Sequence, residues 1–151
     1  AAMVVLFQFP ITRRIEGLPP MLMMAAGTLL YAVGFGMYGL VTGFTMFLVA
    51  IAVVTVGEMI VAPVGQAITA TLAPEDKRGR YMAVFGFSFG IPFAVGPLLA
   101  GVIFDNFNPN LLWLAAAILG TMASMAFLWL HRNVDVREAS PNHKPAGAPT
   151  E

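Results

Sequence analysis

Four uninterrupted apolar runs, at about 20–41, 45–72, 81–104 and 111–130, constrain this chain more than any other feature of it. Each has the roughly 20 residues that a helix needs to cross a hydrocarbon core of about 30 Å. Inside lipid every backbone N–H and C=O must find a partner within the protein, which leaves helices and closed barrels. None of the four runs alternates apolar and polar residues in the dyad pattern of a barrel strand. The chain therefore reads as an all-α membrane protein, a polytopic helical bundle. Composition agrees: 58% of the 151 residues are hydrophobic and 11% charged, against about 25% charged in an ordinary soluble domain. So few charges cannot cover a water-facing surface.

The connections between the runs differ in kind. "ITRRIEGLPP", "APEDKRGR" and the tail from His131 are charged, whereas "TGF" and "DNFNPN" carry no Lys or Arg. Arg13, Arg14, Lys77, Arg78, Arg80, Arg132, Arg137 and Lys144, all 8 basic residues of the chain, thus fall on one side of the membrane. The positive-inside rule assigns that side, and the C-terminus, to the cytoplasm, with the cell (inner or plasma) membrane as the expected location. The polar stretch 132–151 is expected to be a disordered tail. Residues 1–10, "AAMVVLFQFP", supply about half a span, and their charges follow the apolar run instead of preceding it, unlike a signal peptide. They read as the remainder of a helix entered partway, with 1–131 forming one partial helical unit.

Several functions are excluded. A net charge of zero offers no field for nucleic acid, and the absence of cysteine removes thiolate metal sites and cysteine nucleophiles. The two histidines, His131 and His143, lie far apart in sequence and form no ligand cluster. No Ser/His/Asp set, phosphate-cradling loop or intramembrane carboxylate pair is present, so neither an enzyme nor a cofactor is expected.

Against this background "VGEMIVAP" (56–63) stands out, because it places Glu58 in the middle of the second run with Pro63 five residues on. An ionised carboxylate deep in a bilayer is costly, so such residues usually face a bundle interior or a watery cavity. At helical spacing Thr55, Ala62, Gly65 and Thr69 share its side, with Gln66 at the edge. Glu58, Thr55, Gln66 and Thr69 are therefore the candidate lining of a proton or substrate path, the alternative being a protonated Glu58 hydrogen-bonded to a neighbouring helix. Pro63 has no N–H to offer the carbonyl four residues before it and is expected to kink its helix. The pairs Gly39/Gly43, Gly86/Gly90, Ala32/Gly36, Gly96/Ala100 and Ala116/Gly120 have the small-xxx-small spacing of close helix contacts. Pro92 and Pro97 add kinks to the third run, where Gly96, Pro97 and Gly101 are candidates for gating as well as for static packing. Tyr31, Tyr38, Trp113 and Trp129 suit interfacial anchoring, or stacking on a substrate where they face inward. The ten methionines suit soft core packing.

Taken together, these residues resemble the C-terminal half of a major facilitator superfamily transporter, from within its eighth helix through its twelfth. "FPITRRIEGLPPMLMMAAGTLLYAVGF" is similar to the second copy of that family's cytoplasmic loop motif. Arg13, Arg14 and Gly27 fit it, and Thr12 stands where an acid is often found. "APEDKRGRYMAVFGFSFGIPFAVGPLLAGVIFD" is similar to the loop and eleventh helix, with Gly96, Pro97 and Gly101 in place. "VGEMIVAPV" looks most like the proton-coupled drug antiporter branch. The resemblance implies a twelve-helix protein of two six-helix halves that rock about a central site. It implies a small-molecule substrate, protons as the coupling ion, the lipid bilayer as medium, and an N-terminal half not contained in these residues. Arg13, Arg14, Lys77, Arg78 and Arg80 would then form cytoplasmic gate loops. Efflux of apolar or drug-like compounds is the expected activity. A proton-coupled importer of the same superfamily, a small dimerising exporter and a non-transporting membrane subunit are the alternatives.

Overall fold

The computed structural model describes Arg13 and residues 17–134. Four helices are long and apolar enough to cross a membrane. They are α1 (Pro20–Tyr38), α2 (Phe44–Leu72), α3 (Arg78–Asn106) and α4 (Asn110–Asn133), with a 3-10 turn, Glu75–Lys77, leading into α3. No strand occurs among the described residues. The helix remainder expected at 1–10, the gate residue Arg14 and the tail beyond 134 lie outside them.

Each boundary has a local cause. Pro20 occupies the first turn of α1, where its missing N–H costs nothing. Chain reversal after α1 begins at Gly39, and Leu40 donates its N–H to the Met37 carbonyl at 2.9 Å. Gly43, in extended backbone, starts α2. Pro74 opens the 3-10 turn that carries Glu75 and Asp76, and Lys77 N–H closes it on the Pro74 carbonyl at 3.0 Å. Arg78 and Arg80 are already helical, in the first turn of α3, rather than part of a loop. Asn108 Oδ1 accepts from the Asn110 N–H at 2.9 Å, a turn that starts α4. That helix runs to Asn133, so Arg132, expected in the tail, belongs to its last turn and faces the negative end of the helix dipole. The helices α2 and α3 continue unbroken through Pro63, Pro92 and Pro97.

Helix α1 is the centre of the packed unit, with α2 on one side and α4 on the other. The contact with α2 is made by small residues. A Cβ placed on Gly27 would sit 2.6 Å from Val61 Cγ2, and one on Gly34 would sit 2.5 Å from Val54 Cγ2 and 3.1 Å from the Val54 backbone nitrogen. From the other side, a Cβ on Gly57 would meet the Gly27 carbonyl oxygen at 3.0 Å. Glycine here brings two backbones together where lipid supplies no hydrophobic drive. The contact with α4 follows the same logic: Gly120 lies on Ala32, Gly36 on Ala117, and Gly39 on the Trp113 Cβ. Both sets pair early residues of one helix with late residues of the other, so α1 is antiparallel to each neighbour. The buried hydrophobic side chains are Met21, Ala25, Ala32, Ala50, Met59 and Ala73, mostly single methyl groups. Ser124 is buried at the α1–α4 contact and donates its hydroxyl to the Ala25 carbonyl at 2.8 Å.

Helix α3 is different. It touches α2 near its own start, where Phe85 lies against Gly65, and has little contact with α4. None of its residues is buried. Two of the expected small-residue contacts are therefore corrected. Gly86 and Gly90 face open space, and Gly39/Gly43 flank the α1–α2 turn instead of lining a helix face. Gly96 and Gly101 likewise meet no described atom within 4 Å.

Candidate functional site

Glu58 is the middle residue of α2, a helix of 29 residues that is about 43 Å long at 1.5 Å per residue. The carboxylate therefore sits at mid-depth of the bundle. Its neighbour in sequence, Gly57, is buried against α1, with its Cβ position 3.2 Å from Leu30 Cβ and 3.4 Å from the Tyr31 nitrogen. That close approach sets Glu58 beside Tyr31, within electrostatic reach of its hydroxyl. Glu58 itself is exposed. It makes no ion pair or hydrogen bond with another described residue.

From Tyr31 a ladder of aromatic rings climbs to the end of the bundle that carries no Lys or Arg. Tyr31 stacks on Phe35 with centroids 6.0 Å apart and planes 14° from parallel. Phe35 meets Tyr38 at 6.1 Å. Tyr38 meets Phe47 of α2 at 5.7 Å and Trp113 of α4 at 4.9 Å. Residues 31, 35 and 38 follow the four- and three-residue steps of one helix face. A carboxylate at one end of a row of aromatic faces is chemically suited to an organic cation, whose charge the acid balances and whose body the rings accept.

The other candidates do not gather into one place. Thr55 is half-buried, one turn from Glu58. Gln66 is exposed, about 12 Å along the helix in the opposite direction. Thr69, about 16 Å from Glu58 along the axis, has its hydroxyl turned back to the Gly65 carbonyl at 2.9 Å. It lines a separate cleft with Arg80, Tyr81, Val84, Phe85 and Ser88. Gly65, expected on the cavity side of α2, is instead occupied by the Phe85 ring. Lys77, Arg78 and Arg80 lie together where α2 gives way to α3, all exposed. Pro63 is half-buried, one turn beyond Glu58 towards that basic end. Gly96, Pro97 and Gly101 lie in the part of α3 that no described helix covers. Tyr31 and Phe35 were not among the candidate path residues, because their place beside Glu58 depends on how two helices cross. Among the described residues no group of His, Asp or Glu could hold a metal ion.

The sequence profile of the Major Facilitator Superfamily matches residues 1–150. The chain belongs to that superfamily. It is 30% identical over 122 residues to YhjO of Bacillus subtilis, an uncharacterised transporter of the superfamily, a match covering 81% of this chain and 30% of YhjO. It is also 30% identical over 122 residues to the uncharacterised transporter YdeE of Escherichia coli, covering 79% of the chain and 30% of that protein. The multidrug resistance protein MdtH of Shigella boydii is 28% identical over 108 residues, covering 69% of this chain and 27% of MdtH. The chain thus spans under a third of the length of these relatives. No solved structure matches it. Membership places the chain among multi-pass membrane proteins of a transporter superfamily, whose members are not enzymes, as expected from its apolar runs and from the motifs that carry the resemblance.

Proposed function

We propose that the chain is part of the C-terminal half of a proton-coupled exporter of apolar, drug-like compounds, working by alternating access. The observation that carries this is Glu58, a carboxylate at mid-membrane depth on a face that the packed helices leave open. An ionised acid facing lipid there is disfavoured. The open face is therefore turned towards the rest of the transporter, where a proton and a substrate can compete for it. If the protonated and substrate-bound forms favour opposite-facing states, the two flows are coupled.

The substrate class follows from the lining. The aromatic ladder offers ring faces and few hydrogen-bonding groups, which favours an apolar body over a sugar or peptide. Similarity to a relative named for multidrug resistance points the same way. Thr55 and Gln66 extend the path on either side of Glu58, and Thr69 marks its basic end. Pro63, Gly96, Pro97 and Gly101 are the places where the spans would bend between states. The described basic residues Arg13, Lys77, Arg78, Arg80 and Arg132 lie at one end of the bundle, and the turns at the other end carry none. By the positive-inside rule that end, with the C-terminus and the gate loops, is cytoplasmic, and the membrane would be the cell (inner or plasma) membrane.

The test is substrate efflux driven by an imposed proton gradient in membrane vesicles containing the complete transporter. Glu58→Gln is expected to abolish the gradient dependence, and Glu58→Asp to retain part of it, at equal protein levels. Undiminished coupling in Glu58→Gln would remove Glu58 from the mechanism.

A further inference from the structure

The cleft between α2 and α3 lies apart from Glu58, although it shares Thr69 with the far end of the proposed path and Arg80 with the gate loops. It has a volume of about 440 Å³ and is lined by Thr69, Arg80, Tyr81, Val84, Phe85 and Ser88. Its position is set by where the two helices part. Gly65 lets the Phe85 ring lie against α2 at 3.2 Å, and Gly86 and Gly90, further along α3, meet nothing. Thr69 is one turn from the end of α2 and Arg80 is in the first turn of α3, so the mouth of the cleft lies at the level of lipid headgroups. Ser88 lies about 12 Å deeper along the helix axis.

The lining is polar in name more than in effect. Thr69 Oγ1 donates to the Gly65 carbonyl and Ser88 Oγ to the Phe85 carbonyl, so neither hydroxyl proton is offered to the cleft. What remains is a cation and a phenol at the mouth, Arg80 and Tyr81, above an apolar slot formed by Val84 and Phe85. Arg80 is exposed and makes no ion pair with a described residue, although Glu75 and Asp76 stand in the same connection. A guanidinium presents a donor fork that matches phosphate.

We propose that this cleft holds an anionic phospholipid of the leaflet at the basic end, its phosphate on Arg80 and one acyl chain along Val84 and Phe85. Charge selects the headgroup, and the slot requires a chain attached to it. Basic pockets between membrane helices on the cytoplasmic side are physically suited to such lipids.

The complete transporter, purified in mild detergent, is titrated with phosphatidylglycerol and with phosphatidylcholine of the same chains, and bound lipid is counted by native mass spectrometry. Phosphatidylglycerol is expected to be retained preferentially. Arg80→Gln should weaken it about fivefold, Arg80→Lys should restore much of the loss, and Arg78→Gln, two residues away and outside the cleft, should change little. Val84→Trp, which fills the slot and keeps the charge, should weaken long-chain phosphatidylglycerol but not a short-chain analogue. Equal retention of the two lipids would overturn the proposal. So would equal losses in Arg80→Gln and Arg78→Gln, which mean diffuse attraction, or displacement of the lipid by inorganic phosphate, which means an anion site with no chain requirement. A Val84→Trp protein that binds as before would show that the slot is filled by something other than an acyl chain.

Discussion

Helices α1 and α3 are both apolar and both rich in glycine, yet one is the centre of the bundle and the other hangs at its edge. In α1, Met21, Ala25, Gly27, Ala32 and Gly34 are buried, whereas α3 buries nothing and leaves Phe93 86% exposed. Hydropathy does not separate them. What separates them is whether a neighbouring backbone stands opposite each small residue. Gly27 and Gly34 face the backbone of α2 within van der Waals distance, while Gly86, Gly90, Gly96 and Gly101 face open space. In lipid a glycine is a contact only in company, because the attraction comes from two surfaces approaching and not from either leaving water. The described helices thus leave the face of α3 open, as they leave the face of α2 that carries Glu58.

The largest test of this contrast is a pair of identical substitutions. Gly34→Leu drives a side chain into Val54, whose backbone nitrogen is 3.1 Å from the new Cβ and cannot yield without moving the helix. Overpacking of this kind costs about 1–3 kcal/mol, and the thermal unfolding midpoint of the complete transporter in detergent is expected to fall accordingly. Gly90→Leu adds the same side chain where no described atom lies within 4 Å, and is expected to leave the midpoint nearly unchanged. Equal destabilisation by both would mean that α3 is packed as closely as α1 in the assembled protein.

A smaller change at the same seam connects packing to the site. Gly57→Ala places a methyl 3.0 Å from the Gly27 carbonyl oxygen and 3.2 Å from Leu30 Cβ. A shift of a few tenths of an ångström suffices, so the loss of stability should be about 1 kcal/mol, at the low end of overpacking. That same shift separates Glu58 from Tyr31. Proton-driven efflux is therefore expected to fall more than stability does, and Gly65→Ala, which presses only on the Phe85 ring, should leave efflux nearly intact. If efflux and stability fell in the same proportion in both variants, the juxtaposition of Glu58 and Tyr31 would have no part in transport.

The four spans could be read from the chain because length and hydropathy alone determine whether a segment crosses lipid, and the turns because "TGF", "APEDKRGR" and "DNFNPN" interrupt the apolar runs. Packing was not legible in that way. Helix α1 is apolar on every side, so periodicity has no polar face to set its phase. The four-residue glycine spacing misled at Gly39/Gly43, which straddles a turn, and at Gly86/Gly90, which has no partner. At the α1–α4 seam the four-residue spacing held, with Ala32 against Gly120 and Gly36 against Ala117; at the α1–α2 seam a seven-residue spacing carried the signal, Gly27 and Gly34 in one span and Ala50 and Gly57 in the antiparallel one that follows. Glu58 was visible as the one acid deep within an apolar run. The place of Tyr31 beside it was not, since 27 positions separate the two and only the Gly27–Gly57 crossing brings them together.

The α1–α4 seam offers the finest distinction. Ser124 is its one buried polar side chain among the described residues, and its hydroxyl reaches the Ala25 carbonyl on the opposite helix at 2.8 Å. A hydrogen bond in lipid sounds decisive, but the carbonyl does not depend on it. Within α1 the same oxygen already accepts the helical N–H of Leu29, while Thr28 Oγ1 lies 2.8 Å from the Met24 carbonyl and 3.1 Å from that of Ala25. Ser124→Ala therefore leaves no orphaned group, and a methyl fits where the hydroxymethyl was. The expected loss is about 0.6 kcal/mol, the average for interhelical hydrogen bonds measured in membrane proteins, visible as a small fall in the unfolding midpoint with efflux unchanged. Thr28→Val in the same background removes a hydroxyl whose shorter bond is to the Met24 carbonyl at 2.8 Å and leaves the helical donor to Ala25 in place, so the two losses should simply add. A combined loss larger than the sum would mean that Thr28 Oγ1 turns to the Ala25 carbonyl once the Ser124 hydroxyl is gone, so that the two side chains share one acceptor.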